Sequence, residues 1–286
     1  MERTQMSGYK KSEDVEVFCM EEDCEPCDVS AKNRRISISR MLPSIVTITA
    51  FCFGLTAIRF ALFYEWEMAV LCVFVSALLD ALDGRLARLL KQSSHFGAEL
   101  DSLSDLVCFG VTPAMLMFLK SMYSMGNVGW GVCMFFTICC GLRLARFNAG
   151  LLQNEPKPDW MKKYFSGVPA PAGAILALFP MILSFSTGSQ FFLNTAFVSF
   201  CLVVSGVLMI STLKNFSSKM IEIKNGLASP ELLTISLLII CLVTKLWLTL
   251  TILVSIYIFL IPYGSYRYEK TKQMELQKTT TEQMRR

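Results

Sequence analysis

The chain has 286 residues, of which 53% are hydrophobic and only 17% are charged, and its mean hydropathy is +0.47. A composition this apolar excludes an ordinary soluble domain and is typical of a membrane protein. The net charge of +4 is modest and does not indicate nucleic-acid binding, so the informative property is where the basic residues lie.

Residues 1–41 are polar, mixed in charge and free of apolar runs, and we interpret them as a cytosolic tail that is disordered in part. The tail lacks the early apolar segment of a cleaved signal peptide. Cys24 and Cys27 have Cys-x-x-Cys spacing, but neither a second such pair nor a histidine pair accompanies them. We therefore favour reduced thiols over a zinc or redox site there.

From Leu42 onward, apolar runs of about 18–25 residues alternate with short polar loops, and a run of this length crosses a hydrocarbon core of roughly 30 Å as a helix. We predict an all-α, polytopic membrane helix bundle with about eight transmembrane helices, which makes residues 42–265 a transmembrane domain and residues 266–286 a cytosolic basic tail. The predicted spans cover residues 43–64, 67–88, 98–120, 128–148, 168–186, 191–212, 231–246 and 249–265.

The basic residues predict the orientation of the bundle. Of the 27 Lys and Arg residues, 24 fall in the two tails or in the loops after the second, fourth and sixth spans. The exceptions are Arg59, Lys120 and Lys245. By the positive-inside rule, both termini and these loops face the cytosol. Because nearly all basic residues then fall on one side of the membrane, their distribution supports an even number of spans. By analogy, we expect a multi-pass protein of a bacterial inner membrane.

Four acidic residues interrupt the apolar pattern at the ends of the second and third spans, at Asp80, Asp83, Asp101 and Asp105. An ionised side chain inside a bilayer costs at least roughly 2.5–3.5 kcal/mol, so such residues usually have a function. On a helix with about 100° per residue, Asp83 lies roughly 60° from Asp80, and Asp101 and Asp105 share one stripe. We expect the four carboxylates to converge just below the cytosolic surface.

Four carboxylates in one place would repel one another, and a divalent cation removes that conflict. Ligation by oxygen alone favours Mg²⁺, Mn²⁺ or Ca²⁺ over zinc, and the site has enough carboxylates for two ions, which suits displacement at phosphorus. Gly84 leaves room for a bulky substrate against the helix, and Arg88 can pair with phosphate. An Asp–Arg network that holds helices together, or the ion pathway of a cation transporter, would leave the full spacing unexplained.

The spacing Asp-x2-Asp-Gly-x2-Ala-Arg-x8-Gly-x3-Asp-x3-Asp, from Asp80 to Asp105, resembles the signature of the CDP-alcohol phosphotransferases at every fixed position. The resemblance extends from about Leu42 to Ser211 and implies a six-helix membrane core, usually dimeric, so we expect a homodimer with two additional C-terminal spans. It implies that the substrate is a CDP-linked lipid, CDP-diacylglycerol, and that membrane lipid surrounds the reaction.

Carried onto this chain, the resemblance implies that Asp80, Asp83 and Asp101 are metal ligands. Asp105 would complete the metal site or act as the base that takes the acceptor's proton. The expected cofactor is Mg²⁺ or Mn²⁺, bound as two ions. The residues expected to line the CDP-lipid site are Gly84, Ala87, Arg88 and Gly97.

Two further segments, 141–148 (GLRLARFN) and 165–172 (FSGVPAPA), are similar to the members of the family that use L-serine. We therefore expect phosphatidyl transfer from CDP-diacylglycerol to L-serine, with release of CMP. Arg143 and Arg146 are candidates to clamp the serine carboxylate, or they simply mark a cytosolic helix end. Asn148 would bind the serine amino group or cap backbone carbonyls. The alternatives are a sibling enzyme that uses glycerol 3-phosphate or inositol phosphate and, more remotely, a cation transporter.

Overall fold

The computed structural model describes residues 38–89, 95–152, 164–211, 214–216 and 229–285, and the polar tail predicted for residues 1–41 lies almost entirely outside these ranges. Nearly all of the described chain is helical, which confirms the all-α prediction. The α-helices are α1 (Ile38–Leu62), α2 (Trp66–Leu89), α3 (His95–Asp105), α4 (Thr112–Met117), α5 (Asn127–Leu152), α6 (Ala170–Thr187), α7 (Thr195–Ile210), α8 (Ser229–Thr244) and α9 (Leu246–Arg285).

In the described part of the chain, eight helical rods lie at the positions of the eight predicted spans. Five of them are long and apolar enough to cross a membrane, namely Leu42–Leu62, Phe96–Met125, Asn127–Gly150, Ala170–Thr187 and Leu246–Gly264. α2 differs because acidic residues interrupt its apolar sequence, and α7 and α8 have only 16 residues each. These features are those of an integral membrane protein.

The third rod, residues 95–125, is not a uniform α-helix. α3 continues directly into a π-helical segment, Leu106–Val111, and α4 is followed by a second one, Phe118–Met122, and a 3₁₀ turn. π-helical turns are rare and often occur at functional sites. The first of them begins immediately after Asp105 and buries Cys108, Phe109 and Gly110.

Close helix packing holds α1 against its neighbours. α1 runs along α2, where Ala57 and Ala69 are completely buried. Gly54 approaches the third rod so closely that a Cβ atom on it would lie 2.5 Å from Sγ of Cys108. Small residues allow such approaches in membrane bundles, where packing and hydrogen bonds replace much of the hydrophobic driving force. One such bond joins Oγ1 of Thr112 to the carbonyl oxygen of Gly54 at 3.2 Å.

Basic and aromatic side chains meet at the ends of the rods farthest from the acidic residues. Nζ of Lys120, near the end of the third rod, lies 4.7 Å from the ring centroid of Trp66, the first residue of α2. The guanidinium of Arg59 lies 5.5 Å from the ring centroid of Phe63. Because the start of α2 meets the end of the third rod, these two neighbours run antiparallel, as their short connection predicts.

A short antiparallel ribbon ties the chain before α6 to the chain after α7. β1 (Tyr164–Ser166) pairs with β2 (Lys214–Phe216). Beside the ribbon, Gly167 has a φ of +75°, and an added Cβ would lie 2.8 Å from the carbonyl oxygen of Met209. Glycine is required there because any side chain would strain the backbone and meet that oxygen. The ribbon could not be predicted from the sequence, since three-residue strands give no periodic signal.

The last helix is longer than the span predicted from the sequence. α9 has 40 residues, so it is about 60 Å long and continues through the residues assigned to the basic tail. Its first half packs against α6, and the rings of Trp247 and Phe185 have centroids 4.6 Å apart. Since a hydrocarbon core is roughly 30 Å thick, the helix extends well beyond one membrane crossing.

Candidate active site

Three of the four acidic residues come together where α2 and α3 face each other. Asp80 of α2 and Asp101 and Asp105 of α3 each offer one carboxylate oxygen, and these oxygens lie within 4.8 Å of one another. Asp101 and Asp105 are one turn apart on the same face of α3, as their spacing predicts. Asp80 is within hydrogen-bonding distance of Asp105. We call these three half-buried side chains the acidic cluster.

Asp83 lies beside the acidic cluster but outside it. Its Oδ2 accepts a 2.8 Å hydrogen bond from Oγ1 of Thr47 on α1, and only 5% of the residue is exposed. The Thr47 hydroxyl also lies 3.1 Å from the carbonyl oxygen of Pro43, the longer of its two contacts. Asp83 remains close enough to Asp80 and Asp101 to repel them. Thr47 could not be identified from the sequence, because a threonine within an apolar span carries no distinguishing pattern.

The acidic cluster has the chemistry of a site for a hard divalent cation. Carboxylate oxygens are the ligands that Mg²⁺, Mn²⁺ and Ca²⁺ prefer. Oxygens within 4.8 Å of one another can bind the same ion, since metal–oxygen distances for these ions are about 2.0–2.6 Å. The residues present therefore fit such an ion, with Asp80, Asp101 and Asp105 as candidate ligands and Asp83 adjacent.

The two arginines paired by sequence analysis have different surroundings. Arg143 of α5 is half-buried and close enough to Asp80 and Asp105 for electrostatic attraction. Arg146, one turn later, is exposed, and its Nη1 donates a 2.7 Å hydrogen bond to the carbonyl oxygen of Ile210 at the end of α7. Arg143 therefore belongs to the surroundings of the acidic cluster, whereas Arg146 binds one of the last carbonyls of a neighbouring helix.

Asn148 connects α5 to the helix that carries two of the acids. Its Nδ2 donates a 2.8 Å hydrogen bond to Oγ of Ser102, the residue after Asp101. The Ser102 hydroxyl in turn donates to the carbonyl oxygen of Ala98 at 3.0 Å. Asn148 thus links α5 to α3 through a hydrogen bond close to the acidic cluster.

The residues expected at the CDP-lipid site lie at the adjoining ends of α2 and α3. Gly84 is exposed, and a Cβ added to it would meet no atom within 4 Å. Gly97 is half-buried in the first turn of α3. Ala87 and Arg88 belong to the last turn of α2, and their side chains lie outside the described residues. Open space therefore adjoins α2 one residue beyond Asp83.

An apolar groove of about 560 Å³ lies among α6, α7 and α9. It follows α7 from Phe197 to Leu208, a distance of about 16 Å along the helix. Phe179 of α6 and Ile258 of α9 lie on its other walls. Leu208 is two residues from Ile210, the partner of Arg146, so one end of the groove lies near the helix ends that surround the candidate active site.

The described helices thus form a membrane bundle that gathers carboxylates from two consecutive helices beside a half-buried arginine. The sequence pattern of the CDP-alcohol phosphatidyltransferase family matches residues 40–212, which are more than half of the chain. The matched range contains the acidic cluster, Asp83 and both arginines. The chain belongs to this family.

Similar proteins from several bacteria carry one name, CDP-diacylglycerol--serine O-phosphatidyltransferase. The chain is 34% identical to the Mycobacterium bovis protein over 233 residues, which cover 82% of this chain and 81% of that one. It is 35% identical to a Helicobacter pylori protein over 178 residues, which cover 61% of this chain and 71% of that one. It is 34% identical to a Bacillus subtilis protein over 165 residues, which cover 56% of this chain and 89% of that one.

Proposed function

We propose that this protein transfers the phosphatidyl group of CDP-diacylglycerol to L-serine and releases CMP. The observation that carries the proposal is the acidic cluster with Arg143 beside it, in a chain of the CDP-alcohol phosphatidyltransferase family. The named activity of the Mycobacterium, Helicobacter and Bacillus relatives supports serine as the acceptor. Residues 42–265 form the catalytic domain in this proposal.

The acidic cluster is the proposed cation site. Asp80, Asp101 and Asp105 would hold Mg²⁺ or Mn²⁺, with Asp83 as the further ligand for a second ion. When bound, these ions neutralise the diphosphate of the substrate and make its phosphorus more electrophilic. Thr47 restrains Asp83 through the hydrogen bond from α1, so that this carboxylate keeps a fixed orientation next to the cluster.

The reaction is a direct displacement at the phosphatidyl phosphorus. The serine hydroxyl oxygen forms a bond to that phosphorus, and the bond to the bridging oxygen of CMP breaks, with the electron pair leaving on CMP. Asp105 takes the hydroxyl proton as general base. It is the last acid of the motif along α3 and lies within hydrogen-bonding distance of Asp80. A positioned carboxylate base contributes about 10²–10⁴-fold to a rate.

Arg143 binds the serine carboxylate in this mechanism. A guanidinium offers paired N–H donors that match a carboxylate, and Arg143 lies beside the acidic cluster where the hydroxyl must react. Arg146 has a supporting role because its donor already binds the carbonyl of Ile210. Asn148 also has a supporting role, because its hydrogen bond to Ser102 links α5 to the helix that carries Asp101 and Asp105.

The lipid part of the substrate stays in the membrane. Gly84 leaves space for the CDP group beside α2, and the groove among α6, α7 and α9 accommodates an acyl chain, since its walls are almost entirely apolar. We place the active site and both termini on the cytosolic side, on the basis of the positive-inside rule. We further propose a homodimer in a bacterial inner membrane, in line with the family resemblance and the bacterial relatives.

The test is CMP release from CDP-diacylglycerol by the purified protein in mixed micelles. Serine, glycerol 3-phosphate, inositol phosphate and water are compared as acceptors. We expect release to depend on serine. Faster release with glycerol 3-phosphate or inositol phosphate would instead assign the chain to a sibling activity of the family.

A further inference from the structure

We propose that Thr112 is a positioning residue, which keeps Asp105 in the acidic cluster by holding the π-helical segment Leu106–Val111 against α1. This role rests on the proposed function, in which Asp105 is the general base. Thr112 lies outside the acidic motif, since Asp105 is the last residue of that motif and Thr112 is the first residue of α4. The π-helical segment fills the whole interval between them.

The π-helical segment determines how α3 is turned relative to α4. The backbone N–H of Thr112 bonds to the carbonyl oxygen of Val107, five residues earlier, whereas an α-helix bonds four residues back. Each residue of an α-helix turns the chain by about 100°. Conversion of the segment to a regular α-helix would therefore rotate α3 by roughly that angle. Asp105, which directly precedes the segment, would then turn away from Asp80, its partner in the acidic cluster.

Two hydrogen bonds join this part of the third rod to α1. Oγ1 of Thr112, which is completely buried, donates to the carbonyl oxygen of Gly54 at 3.2 Å. One turn earlier, Sγ of Cys108 donates to the carbonyl oxygen of Ala50 at 3.6 Å. The two acceptors are themselves one turn apart on α1, so the helices are joined at successive turns. Because a thiol is the weaker donor, the Thr112 hydroxyl makes the stronger of the two bonds.

α5 packs on the other side of the π-helical segment. Gly110 lies two residues from Cys108 and therefore faces away from α1. A Cβ added to Gly110 would lie 3.3 Å from Cβ of Cys140, and the Gly110 carbonyl oxygen lies 3.3 Å from Oγ1 of Thr137. The segment is thus held between α1 and α5, and a shift by one residue would break the contacts on both sides.

The experiment compares Thr112→Val with Thr112→Ser in the full-length protein at saturating Mn²⁺. Valine keeps the branched shape and removes the donor, whereas serine keeps the donor and removes a methyl group. We expect Thr112→Val to lower kcat about 10–100-fold, since small displacements of a reacting group cost rates of this order. The KM for CDP-diacylglycerol should stay within about twofold of wild type, and Thr112→Ser should keep kcat within about threefold.

Thr56→Val is the matched control on α1. The Thr56 hydroxyl bonds within its own helix, to the carbonyl oxygen of Cys52 at 2.7 Å, so its removal leaves the third rod in place. We expect wild-type kcat in this variant. A loss of kcat equal to that of Thr112→Val would show that the effect is not specific to the bond between α1 and α4, and would overturn the proposal.

Thermal unfolding in detergent, with and without Mn²⁺, gives a readout that does not depend on turnover. A cation that binds the folded protein raises its unfolding midpoint. Without Mn²⁺, Thr112→Val should unfold close to the wild-type temperature. With Mn²⁺, its midpoint should rise less than that of wild type or of Thr112→Ser, because Asp105 no longer lies with the other carboxylates. The same rise in all three proteins would contradict a displaced Asp105.

A second variant, Thr112→Ala, removes the donor without placing a methyl group against the Gly54 carbonyl, and it should reproduce the losses of Thr112→Val. It decides the question if the valine variant does not fold. Equal losses of kcat in Thr112→Val and Thr112→Ser would assign Thr112 to packing. Failure of both the valine and alanine variants to fold would assign the bond to the stability of the fold. Either result overturns the proposal.

Failure of the proposed function is distinguishable from failure of this inference. If the wild-type protein shows no serine-dependent release of CMP, the proposed function is overturned, and the Mn²⁺ effect on unfolding still tests whether Thr112 keeps Asp105 in place. If the wild-type protein uses serine, and Thr112→Val has the wild-type kcat and the wild-type response to Mn²⁺, only the role of Thr112 is overturned.

Discussion

Oγ1 of Thr47 donates a 2.8 Å hydrogen bond to Oδ2 of Asp83 and thereby joins α1 to the helix that carries half of the acidic motif. The bond holds one of the four acids of the motif beside the acidic cluster rather than within it. It also gives the carboxylate of Asp83, which is almost completely buried, a partner on a neighbouring helix.

Removing the donor should destabilise the protein. Thr47→Val keeps the branched side chain but leaves a buried carboxylate without this hydrogen bond, which should cost about 1–3 kcal/mol. Thr49→Val is the matched control, because the Thr49 hydroxyl is exposed and donates only to the carbonyl of Ile45 on its own helix. The measurement is the unfolding midpoint in detergent. Equal midpoints for the two variants would show that the bond to Asp83 contributes nothing.

The acidic cluster should be essential for turnover but not for folding. Asp101→Asn removes a charged ligand, and we expect the rate to fall at least about 10²-fold while the unfolding midpoint stays close to wild type. Glu99→Gln, on an exposed position of the same helix, should keep its activity. EDTA should abolish wild-type activity, and Mg²⁺ or Mn²⁺ should restore it. Full activity in EDTA would contradict the cation site.

The two arginines should differ in their kinetic effects. Arg143→Lys should raise the serine KM by about 10–150-fold, equivalent to the roughly 1.5–3 kcal/mol of a charge-assisted contact, with a much smaller effect on the KM for CDP-diacylglycerol. Arg146→Lys should have the milder effect, because lysine can still donate to the carbonyl of Ile210. Two-substrate kinetics measure both. A selective rise in the KM for CDP-diacylglycerol in Arg143→Lys would assign that arginine to the diphosphate.

Gly84 allows a test of the CDP-lipid site that leaves the packing of the protein unchanged. An added Cβ meets no atom within 4 Å, so Gly84→Ala should fold normally and raise the KM for CDP-diacylglycerol several-fold by intruding on bound substrate. Gly131→Ala on α5 is the control, since its Cβ also meets no atom within 4 Å. If both variants keep the wild-type KM, the CDP group does not lie against Gly84.

The helices and the acidic cluster could be predicted from the sequence because each depends on local spacing. The apolar runs predict the helical rods. The four-residue spacing of Asp101 and Asp105 predicts that both side chains lie on one face of α3. The separation of Arg143 from Arg146 could not be predicted in the same way. It depends on where the end of α7 lies, and Ile210 is 64 residues away along the chain.

Residues with no pattern of their own were missed for a related reason. Thr47 is an ordinary residue of an apolar span, and its hydrogen bond to Asp83 follows only from the packing of α1 against α2. The extension of α9 beyond residue 265 was also not predicted, because its second half is polar and resembles a tail in composition.

The central claim is tested most directly by incorporation of isotopically labelled L-serine into lipid. The purified protein is given CDP-diacylglycerol, labelled serine and Mg²⁺ or Mn²⁺, and the lipid product and CMP are quantified together by mass spectrometry. We predict labelled phosphatidylserine and CMP in equal amounts, with both lost in Asp101→Asn and retained in Glu99→Gln. CMP release without labelled lipid, or transfer only to glycerol 3-phosphate or inositol phosphate, would contradict the account.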